Sequence, residues 1–304
     1  MPSTPAQPKR WTTRDLLAWM ADAFKAKDLD SPRLCAEMLI AHVIGCDRLK
    51  LYLDQDRPAS PIELQTLRDL TGRALKHEPV QYLVGEGWFF GMPLHVDSRV
   101  LIPRPSTETI VEDLLSDAKA RGHEFGEELL IADVCTGSGC IAAAVAKNLP
   151  SARVLATDIS TDALAVAATN LARHELTERV ELLKGDLLAP LHDHPAVGDK
   201  RTLAYIATNP PYIPDHEWHD VAPNVKDHEP HSALRAGPTG LDLVRPLIEH
   251  AAAILLPGGT LYLELAASHA AEARDIAEAT GAYDDPRIVR DLEGHDRVLI
   301  ARAR

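Results

Sequence analysis

The 304-residue chain lacks several features that would restrict its class. No apolar run approaches the roughly 20 residues needed to cross a bilayer, so we expect no membrane association. Its four cysteines form neither a Cys-x-x-Cys pair nor a Cys/His cluster with zinc spacing, which predicts reduced thiols, a cytoplasmic location and no bound metal. No internal repeat or coiled-coil pattern is present, and repeat architectures are therefore excluded.

Positive charge is scarce in most of the chain. The formal net charge is −13, and residues 1–83 carry 12 Lys/Arg against 11 Asp/Glu, whereas the remainder carries 20 against 34. Enzymes of duplex DNA normally present a basic face to the phosphates. The balance therefore favours a protein or small-molecule substrate and predicts no direct nucleic-acid binding, but a local basic groove remains compatible with these totals.

Residues 1–83 predict a small helical domain. Ser60 and Glu63 have the spacing of a capping box, and Gly45 is a suitable end for a preceding helix. The polar, proline-rich residues 1–10 lack the apolar segment of a secretory signal, so a disordered tail is expected there. A bundle of this size buries little surface, and we expect it to serve as a substrate-recognition domain beside a larger one.

The remainder of the chain predicts a hairpin followed by an α/β domain. Residues 84–98 are expected to form a linking β-hairpin with its turn at Gly91-Met92-Pro93. In residues 99–304, short apolar runs alternate with helical segments, which predicts a doubly wound parallel sheet. The expected strands are 129–134, 154–157, 180–183, 203–208, 260–265 and 297–301, and the expected helices include 163–171, 241–255 and 270–279.

A glycine-rich turn follows the first of these strands. Gly137 and Gly139 allow close approach of the backbone to a ligand, and the helix beyond them offers free N–H groups and a partial positive charge. These features suit the carboxylate end of a methionine moiety. A nicotinamide dinucleotide is the alternative, although Ala142 breaks the longer Gly-x-Gly-x-x-Gly fingerprint. The residues expected to contact the ligand are Cys135, Thr136, Gly137, Ser138 and Gly139.

Two acidic residues follow the next two strands. Asp158 is placed to accept hydrogen bonds from a ribose diol; the alternative role is helix capping, for which Ser160 is better placed. Asp186 can accept the exocyclic amino hydrogens of adenine while Leu187 packs against the ring, or it can be an ordinary turn aspartate. The three residues would complete a nucleoside site beside the glycine-rich turn.

The sequence Asn209-Pro210-Pro211-Tyr212 follows the strand expected at 203–208. An amide or aryl-amine nitrogen is a poor nucleophile because its lone pair is delocalised. The Asn209 side-chain oxygen and the Pro210 carbonyl can each accept one N–H of such a group, Pro211 stiffens the carbonyl before it, and Tyr212 can pack on the planar group. These residues predict methyl transfer from S-adenosylmethionine to a planar nitrogen.

With these motifs in place, nearly the whole chain resembles the HemK-type (PrmC family) methyltransferases, which modify the glutamine of the Gly-Gly-Gln motif in peptide chain release factors. The further stretches that carry the resemblance are Ser31-Pro32, Ala36-Glu37-Met38-Leu39, Glu78-Pro79-Val80-Gln81-Tyr82, Arg99-Val100-Leu101-Ile102-Pro103-Arg104-Pro105, Glu229-Pro230, Gly240-Leu241-Asp242-Leu243, Pro257-Gly258-Gly259 and Asp291-Leu292-Glu293-Gly294-His295-Asp296-Arg297. The resemblance implies a Rossmann-like class I methyltransferase domain that uses S-adenosylmethionine, releases S-adenosylhomocysteine and acts on release factors as protein partners.

The resemblance also implies a role for each motif. The methionine part of the cofactor would lie on Cys135–Gly139, the ribose on Asp158, the adenine on Asp186 and Leu187, and the glutamine amide on Asn209–Tyr212, with Asn209 also beside the cofactor and Asn209, Pro210 and Tyr212 catalytic. Three positions depart from the family pattern. Cys135 replaces a common glycine, Leu187 replaces an aromatic residue of some relatives, and Ser106 replaces a usual acidic residue.

Two other functions remain open from the sequence. An amino-methyltransferase acting on another protein glutamine, as in a ribosomal protein, or on a nucleic-acid base would use the same four-residue motif. A catalytically silent module that binds S-adenosylmethionine is a third class. The intact Asn209 and Pro210 argue against a silent module, and the charge balance argues against a nucleic-acid substrate.

Overall fold

The computed structural model describes residues 10–123, 129–197 and 201–304. The tail predicted over residues 1–10 therefore lies outside the described residues except for Arg10. The described residues form two compact units. The first extends to Gly85 and also contains Pro223–His228, and the second comprises Glu86–Ala222 and Glu229–Arg304.

The division into residues 1–83, 84–98 and 99–304 stays a prediction, and the return of Pro223–His228 to the first unit was not expected from the sequence. In the chain, this segment lies between two stretches of the second unit. The chain thus leaves the second unit after Ala222 and re-enters it at Glu229.

The first unit is helical. Its core holds the fully buried side chains of Met20, Phe24, Leu39 and Ile40. Gly45 ends the second helix with a φ of +71°, as the sequence predicted. The helices are α1 (Thr13–Lys25), α2 (Pro32–Ile44), α3 (Arg48–Leu53), α4 (Pro61–Ala74) and α5 (Val80–Val84).

The predicted capping box at the start of α4 is present. The Ser60 hydroxyl accepts a hydrogen bond from the Glu63 N–H at 3.2 Å, and the Glu63 carboxylate accepts one from the Ser60 N–H at 2.7 Å. The same carboxylate accepts two hydrogen bonds from Arg57, which hold the pKa of Glu63 down at about 2. Glu63 therefore links the helix start to the preceding loop.

The second unit begins with the predicted β-hairpin, β1 (Glu86–Phe89) and β2 (Met92–His95). Its turn is Phe90-Gly91 rather than Gly91-Met92-Pro93, because Met92 already pairs with Phe89. Phe90 and Gly91 have φ values of +50° and +73°, the conformation of a two-residue turn whose twist matches the flanking strands. The turn is therefore shorter than predicted, and Met92 is a buried core residue.

The remaining elements form the α/β part of the second unit, except α10, which belongs to the first. The strands are β3 (Leu129–Val134), β4 (Ala152–Asp158), β5 (Val180–Lys184), β6 (Leu203–Thr208), β7 (Leu255–Glu264), β8 (Tyr283–Arg290) and β9 (Asp296–Ala303). The helices are α6 (Pro105–Ala120), α7 (Cys140–Asn148), α8 (Thr161–Arg173), α9 (Ala189–His192), α10 (Pro223–Lys226), α11 (Val244–Ala251) and α12 (Ala270–Thr280).

Seven strands form one sheet in the order β5-β4-β3-β6-β7-β9-β8. Strands β5, β4, β3, β6 and β7 pair in parallel, as predicted, whereas β9 is antiparallel to both of its neighbours. Strand β8 was not predicted. It contains Pro286, lies at the sheet edge and is interrupted between Asp284 and Arg287, which are features that weaken a strand pattern.

Helices cover both faces of the sheet. Alternate residues of β6 point to opposite layers, so Tyr205 packs with α6 and α7 while Ile206 packs with α11 and α12. The helix predicted over 241–255 is shorter at both ends, since α11 covers only Val244–Ala251 and Leu255 already belongs to β7. The doubly wound arrangement thus has a buried sheet with two apolar layers.

Other expectations concern membranes, thiols and metals. No helix in the described ranges is both long enough and apolar enough to cross a membrane. The four cysteines are all unpaired. Over the part of the chain that the structure describes, no three His, Cys, Asp or Glu side chains are grouped to hold a metal ion, and the absence of a metal cofactor stays a prediction.

Replacing Ser60 with alanine should reduce the free energy of unfolding of the helical unit by about 1 kcal/mol, because the Glu63 N–H loses its acceptor. Urea unfolding followed by circular dichroism measures the change. Ser116→Ala is the matched control, since Ser116 is exposed within α6 and makes no cap. Equal stabilities of the Ser60 and Ser116 variants would show that the box does not stabilise the helix.

Candidate active site

Four neighbouring parallel strands end at one edge of the sheet. In the sheet order, β3 lies between β4 and β6, and Val134 at its end is level with Thr157 and Thr208. Chain order reverses at this point, and a crevice forms where the loops leave in opposite directions. The loops after β5, β4, β3 and β6 carry the four motifs that the sequence singled out.

A single pocket at this edge gathers most of the predicted site residues. It is lined by nine of them, namely Cys135, Thr136, Gly137, Ser138, Asp158, Asp186, Leu187, Asn209 and Pro211. Gly139, Pro210 and Tyr212 are adjacent in sequence but do not line it. Residues far apart in the chain are therefore brought together as the sheet order requires.

The glycine-rich turn has three residues in the left-handed region. Cys135, Gly137 and Gly139 have φ values of +60°, +55° and +78°. A Cβ added to Gly139 would lie 3.1 Å from the Ala167 Cβ, so this glycine also permits close packing against α8. Cys135 occupies a conformation that glycine adopts without strain, which explains why glycine suits this position.

Asp133, near the end of β3, stabilises the glycine-rich turn by hydrogen bonds. Its Oδ2 accepts hydrogen bonds from the Thr136 hydroxyl at 2.6 Å and from the Ala142 N–H at 2.9 Å. Since Gly139 has no side chain to cap α7, Asp133 supplies the acceptor for that helix start. Burial raises the pKa of Asp133 to about 7, and the two hydrogen bonds oppose the rise. No motif in the sequence indicated this role for Asp133.

Asp158 bridges the turn and the start of α8. One oxygen accepts the Gly137 N–H and the other accepts the Ser160 N–H, both at 2.9 Å. The Ser160 hydroxyl accepts the Ala163 N–H at 3.2 Å, so Ser160 is the N-cap of α8. Asp158 is therefore not needed as a cap. Burial raises its pKa, against the effect of these backbone hydrogen bonds.

Asp186 and Leu187 form the end of the pocket that follows β5. Asp186 is exposed, and its carboxylate makes no hydrogen bond within the described part of the chain. Leu187 has a φ of +45°, and its carbonyl accepts a hydrogen bond from the Thr157 hydroxyl at 3.1 Å. The Leu187 side chain also packs against the core. This loop thus presents one open carboxylate beside an apolar surface.

The loop after β6 is held at both ends. The Asn209 side-chain NH₂ donates to the Thr107 hydroxyl at 3.0 Å, and the Tyr212 hydroxyl donates to Glu264 at 3.4 Å. Pro210 and Pro211 between them are buried. The Asn209 side-chain oxygen accepts no hydrogen bond from any residue in the described ranges. That oxygen is therefore left for another donor.

Two further stretches line the pocket, and no role was predicted for them. One contains Arg99 to Arg104 and the other Pro230 to Ala233. Glu229 joins them, because its buried carboxylate accepts the Ile102 N–H at 3.2 Å and pairs with Arg104. Burial raises the pKa of Glu229, and the nearby Arg104 opposes the rise. Arg99–Arg104 and Pro230 belong to segments that carried the family resemblance. That resemblance was the one feature of the sequence that could have indicated a role for them.

Asn170 is a second residue that the sequence did not reveal. It is fully buried on α8, and its NH₂ donates to the Ser138 carbonyl at 2.9 Å and to the His95 carbonyl at 3.0 Å. Its oxygen accepts the His95 N–H at 2.6 Å. Asn170 therefore links the glycine-rich turn to the hairpin by hydrogen bonds. In the sequence, the one indication of this role is a polar residue on an otherwise apolar helix face.

The pocket fits the cofactor that the motifs predict. The Ser138 hydroxyl is buried and has no hydrogen-bond partner among the described residues, so it is available to a polar ligand in the pocket. The N-terminus of α7 offers partial positive charge, and Asp158 and Asp186 offer acceptors further along. Apolar side chains of Val100, Ile159 and Leu187 complete a surface for a flat ring.

Comparison with known proteins agrees with these features. Residues 15–85 match the PrmC N-terminal domain, and residues 109–227 match the methyltransferase small domain. A release factor glutamine methyltransferase of Chlorobaculum tepidum is 40% identical over 295 residues, which are 97% of this chain and 98% of the relative. Relatives with the same name from Rhodopirellula baltica and Geobacter sulfurreducens are 37% and 38% identical, covering 95% and 97% of this chain and 95% and 98% of their own.

Among solved structures, the catalytic domain of hMettl16 in complex with a 3′UTR hairpin superposes with a TM-score of 0.52 at 14% identity, over 70% of this chain and 76% of that one. At this identity the likeness concerns the fold alone, and it confirms the predicted methyltransferase architecture. The near full-length identity of 37 to 40% with the curated relatives confirms the family: the chain belongs to the release factor glutamine methyltransferases.

Proposed function

We propose that the protein transfers a methyl group from S-adenosylmethionine to the side-chain amide nitrogen of the glutamine in the Gly-Gly-Gln motif of release factors. The observation that carries the proposal is the state of Asn209 beside the pocket. Its NH₂ is occupied by Thr107 while its oxygen is open to a donor. The names of the relatives specify the glutamine and its protein.

The acceptor nitrogen must be held because its lone pair is delocalised. The Asn209 oxygen and the Pro210 carbonyl would each accept one N–H of the target amide. Two fixed acceptors orient the nitrogen and favour the positive charge that develops on it during transfer. Pro211 has no N–H and a restricted φ, so it keeps the Pro210 carbonyl from rotating. Tyr212 would pack on the planar amide.

The cofactor would bring a methyl group on a sulfonium, and S-adenosylhomocysteine would be the product. The turn Cys135–Gly139, at the N-terminus of α7, would hold its carboxylate end. Asp158 would accept hydrogen bonds from the ribose, while Asp186 and Leu187 would contact the adenine, with Asn209 near the reacting methyl. No metal takes part in this scheme.

The partner would be the release factor itself rather than a nucleic acid. The chain carries a net charge of −13, which disfavours a polyanion. We assign residues 1–83 as the substrate-recognition domain, 84–98 as its hairpin linker and 99–304 as the catalytic domain. A flexible Gly-Gly-Gln loop loses entropy on binding, and contacts elsewhere must offset that loss. The site of action would be the cytoplasm, where translation terminates.

Incubation of the protein with a purified release factor and S-adenosylmethionine should add one methyl group to the glutamine of the Gly-Gly-Gln motif. Tandem mass spectrometry locates the added methyl. A short peptide containing the motif should be a much poorer substrate, because it lacks the remote contacts that offset loop ordering. A methyl group on another residue, or on a nucleic-acid base, would refute the proposed substrate.

Asp158→Asn should weaken the binding of S-adenosylhomocysteine about tenfold or more, because a charge-assisted hydrogen bond contributes roughly 1.5–3 kcal/mol. Asparagine retains one acceptor oxygen, so the turn is disturbed less than in an alanine variant. Calorimetric titration measures the affinity, with Asp162→Asn on the exposed side of α8 as the control. Unchanged affinity in Asp158→Asn would remove the ribose role.

Asn209→Ala should abolish methyl transfer while the melting temperature and the affinity for S-adenosylhomocysteine stay close to wild type. The reason is that the side-chain oxygen acts on the acceptor amide and the half-buried side chain contributes little to the core. Single-turnover methylation of a release factor gives the rate. Asn224→Ala, on the short helix α10, serves as control. Turnover within a few-fold of wild type would exclude the role of Asn209.

A further inference from the structure

Asn170 is a fully buried amide whose two N–H groups and oxygen all bond to the backbone. It lies on the apolar face of α8, together with Ala167 and Leu171. Its NH₂ donates to the Ser138 carbonyl at 2.9 Å and to the His95 carbonyl at 3.0 Å, and its oxygen accepts the His95 N–H at 2.6 Å. A carbonyl can only accept and an N–H can only donate, so these partners allow the amide one orientation.

On one side, Asn170 holds the peptide group between Ser138 and Gly139. The carbonyl of this group accepts the Asn170 NH₂, and its N–H donates to the Thr136 carbonyl at 2.8 Å. Gly139 also packs closely on α8, since a Cβ added to it would lie 3.1 Å from the Ala167 Cβ. Ala167 and Asn170 are three residues apart and therefore lie on the same face of α8. The glycine-rich turn, which lines the pocket, is thus attached to α8 by packing and by a hydrogen bond.

On the other side, Asn170 pairs with the outer edge of β2. Hydrogen-bonded and non-hydrogen-bonded pairs alternate along a hairpin, and Glu86 with His95 is the fourth pair from the two-residue turn. The N–H and carbonyl of His95 therefore point away from β1. Pro93 faces the same way, and its carbonyl accepts the His174 ring N–H at 2.8 Å. Asn170 and His174, four residues apart on α8, thus both hold this edge of the hairpin.

The hairpin leads directly into a second segment that lines the pocket. His95 is four residues before Arg99, and the stretch from Arg99 to Arg104 contributes five residues to the lining. Asp97 connects the two, because its carboxylate lies 3.1 Å from the His95 ring Nε2 and accepts a hydrogen bond from Arg99 at 2.7 Å. Asn170 therefore contacts the glycine-rich turn directly and the residue that precedes the other segment. One amide links two parts of the pocket lining.

We infer that Asn170 is a positioning residue for the cofactor: by holding Ser138 and His95 at a fixed separation, it shapes the space in which S-adenosylmethionine binds. Asn170 does not itself line the pocket, so it acts through these two residues. The effect on binding rests on the proposed function, whereas the link between the turn and the hairpin is a property of the protein alone. Without the amide, the Ser138 carbonyl and both backbone groups of His95 would lose their partner, and the two segments would be able to move apart.

Hydrogen exchange measures the link in the free protein. Asn170→Asp keeps the size of the side chain and the acceptor for the His95 N–H but lacks the NH₂. Exchange should become faster both in the peptide that covers β2 and in the peptide that covers residues 135–141. His174→Ala is the matched control, because it removes another contact between α8 and β2 without touching Ser138, and it should affect the β2 peptide alone. Wild-type exchange at residues 135–141 in Asn170→Asp would overturn the inference.

Cofactor binding tests the consequence. In Asn170→Asp, the Kd of S-adenosylhomocysteine should rise about tenfold, the scale of one lost hydrogen-bonding group. The KM for S-adenosylmethionine should rise with it, whereas kcat at saturating cofactor should stay close to wild type. His174→Ala should bind the cofactor product as the wild type does. A purely structural role of Asn170 would lower the melting temperature and leave the affinity of the folded protein unchanged, and that result would overturn the inference.

A neutral variant and the wild type cover the case in which Asn170→Asp does not fold. Asn170→Ala removes the amide without placing a charge in the interior, and it should show the same changes in exchange and affinity. If neither variant folds, saturating the wild type with S-adenosylhomocysteine should slow exchange in the β2 peptide, because the ligand and β2 share Asn170 as a support. Unchanged exchange there would overturn the inference. Failure of the wild type to bind S-adenosylmethionine or S-adenosylhomocysteine would refute the proposed function, but exchange in the free variants would still decide the link.

Discussion

The loops around the pocket depend on three buried carboxyl groups, each of which must find hydrogen-bond donors. Asp133 gathers donors from the glycine-rich turn and α7, Glu229 from the stretch around Ile102 and Arg104, and Glu264 from the hydroxyls beside the acceptor loop. Leaving such a group unpaired in the protein interior costs several kcal/mol. Each carboxyl group therefore restricts the loops that surround it, and together they preorganise the site.

The two acidic residues that line the pocket, Asp158 and Asp186, differ from these three because they are not fully buried. Asp186 is exposed and Asp158 half-buried, so both retain acceptor capacity for a ligand. The glycine-rich turn and the loop after β5 contain backbone strain, since Cys135 and Leu187 have positive φ values that residues other than glycine rarely adopt. Hydrogen bonds such as that from Thr157 to the Leu187 carbonyl help to hold this conformation. The pocket thus combines loops held by buried carboxyl groups with carboxylates that can still accept hydrogen bonds from a ligand.

Local signals predicted most of the fold. The alternation of apolar runs and helical segments located five parallel strands, and the Ser60 and Gly45 signals located helix ends, because these patterns depend on neighbouring residues only. The elements that were not predicted, or were predicted with wrong bounds, also have local causes. Pro286 obscured β8, and the apolar residues before Leu255 lengthened the helix predicted over 241–255. Nothing local indicated that Pro223–His228 returns to the helical unit.

The sequence by itself located the candidate site: the glycine-rich turn, Asp158, Asp186 and the Asn209–Tyr212 motif were all singled out by residue type and by their position after a strand. Only the tertiary structure decided what supports them. Asn170 lies 32 residues after Ser138 and 75 residues after His95, and no spacing rule links the three. Their meeting depends on α8 packing against both α7 and β2, which brings distant parts of the chain together around one buried amide.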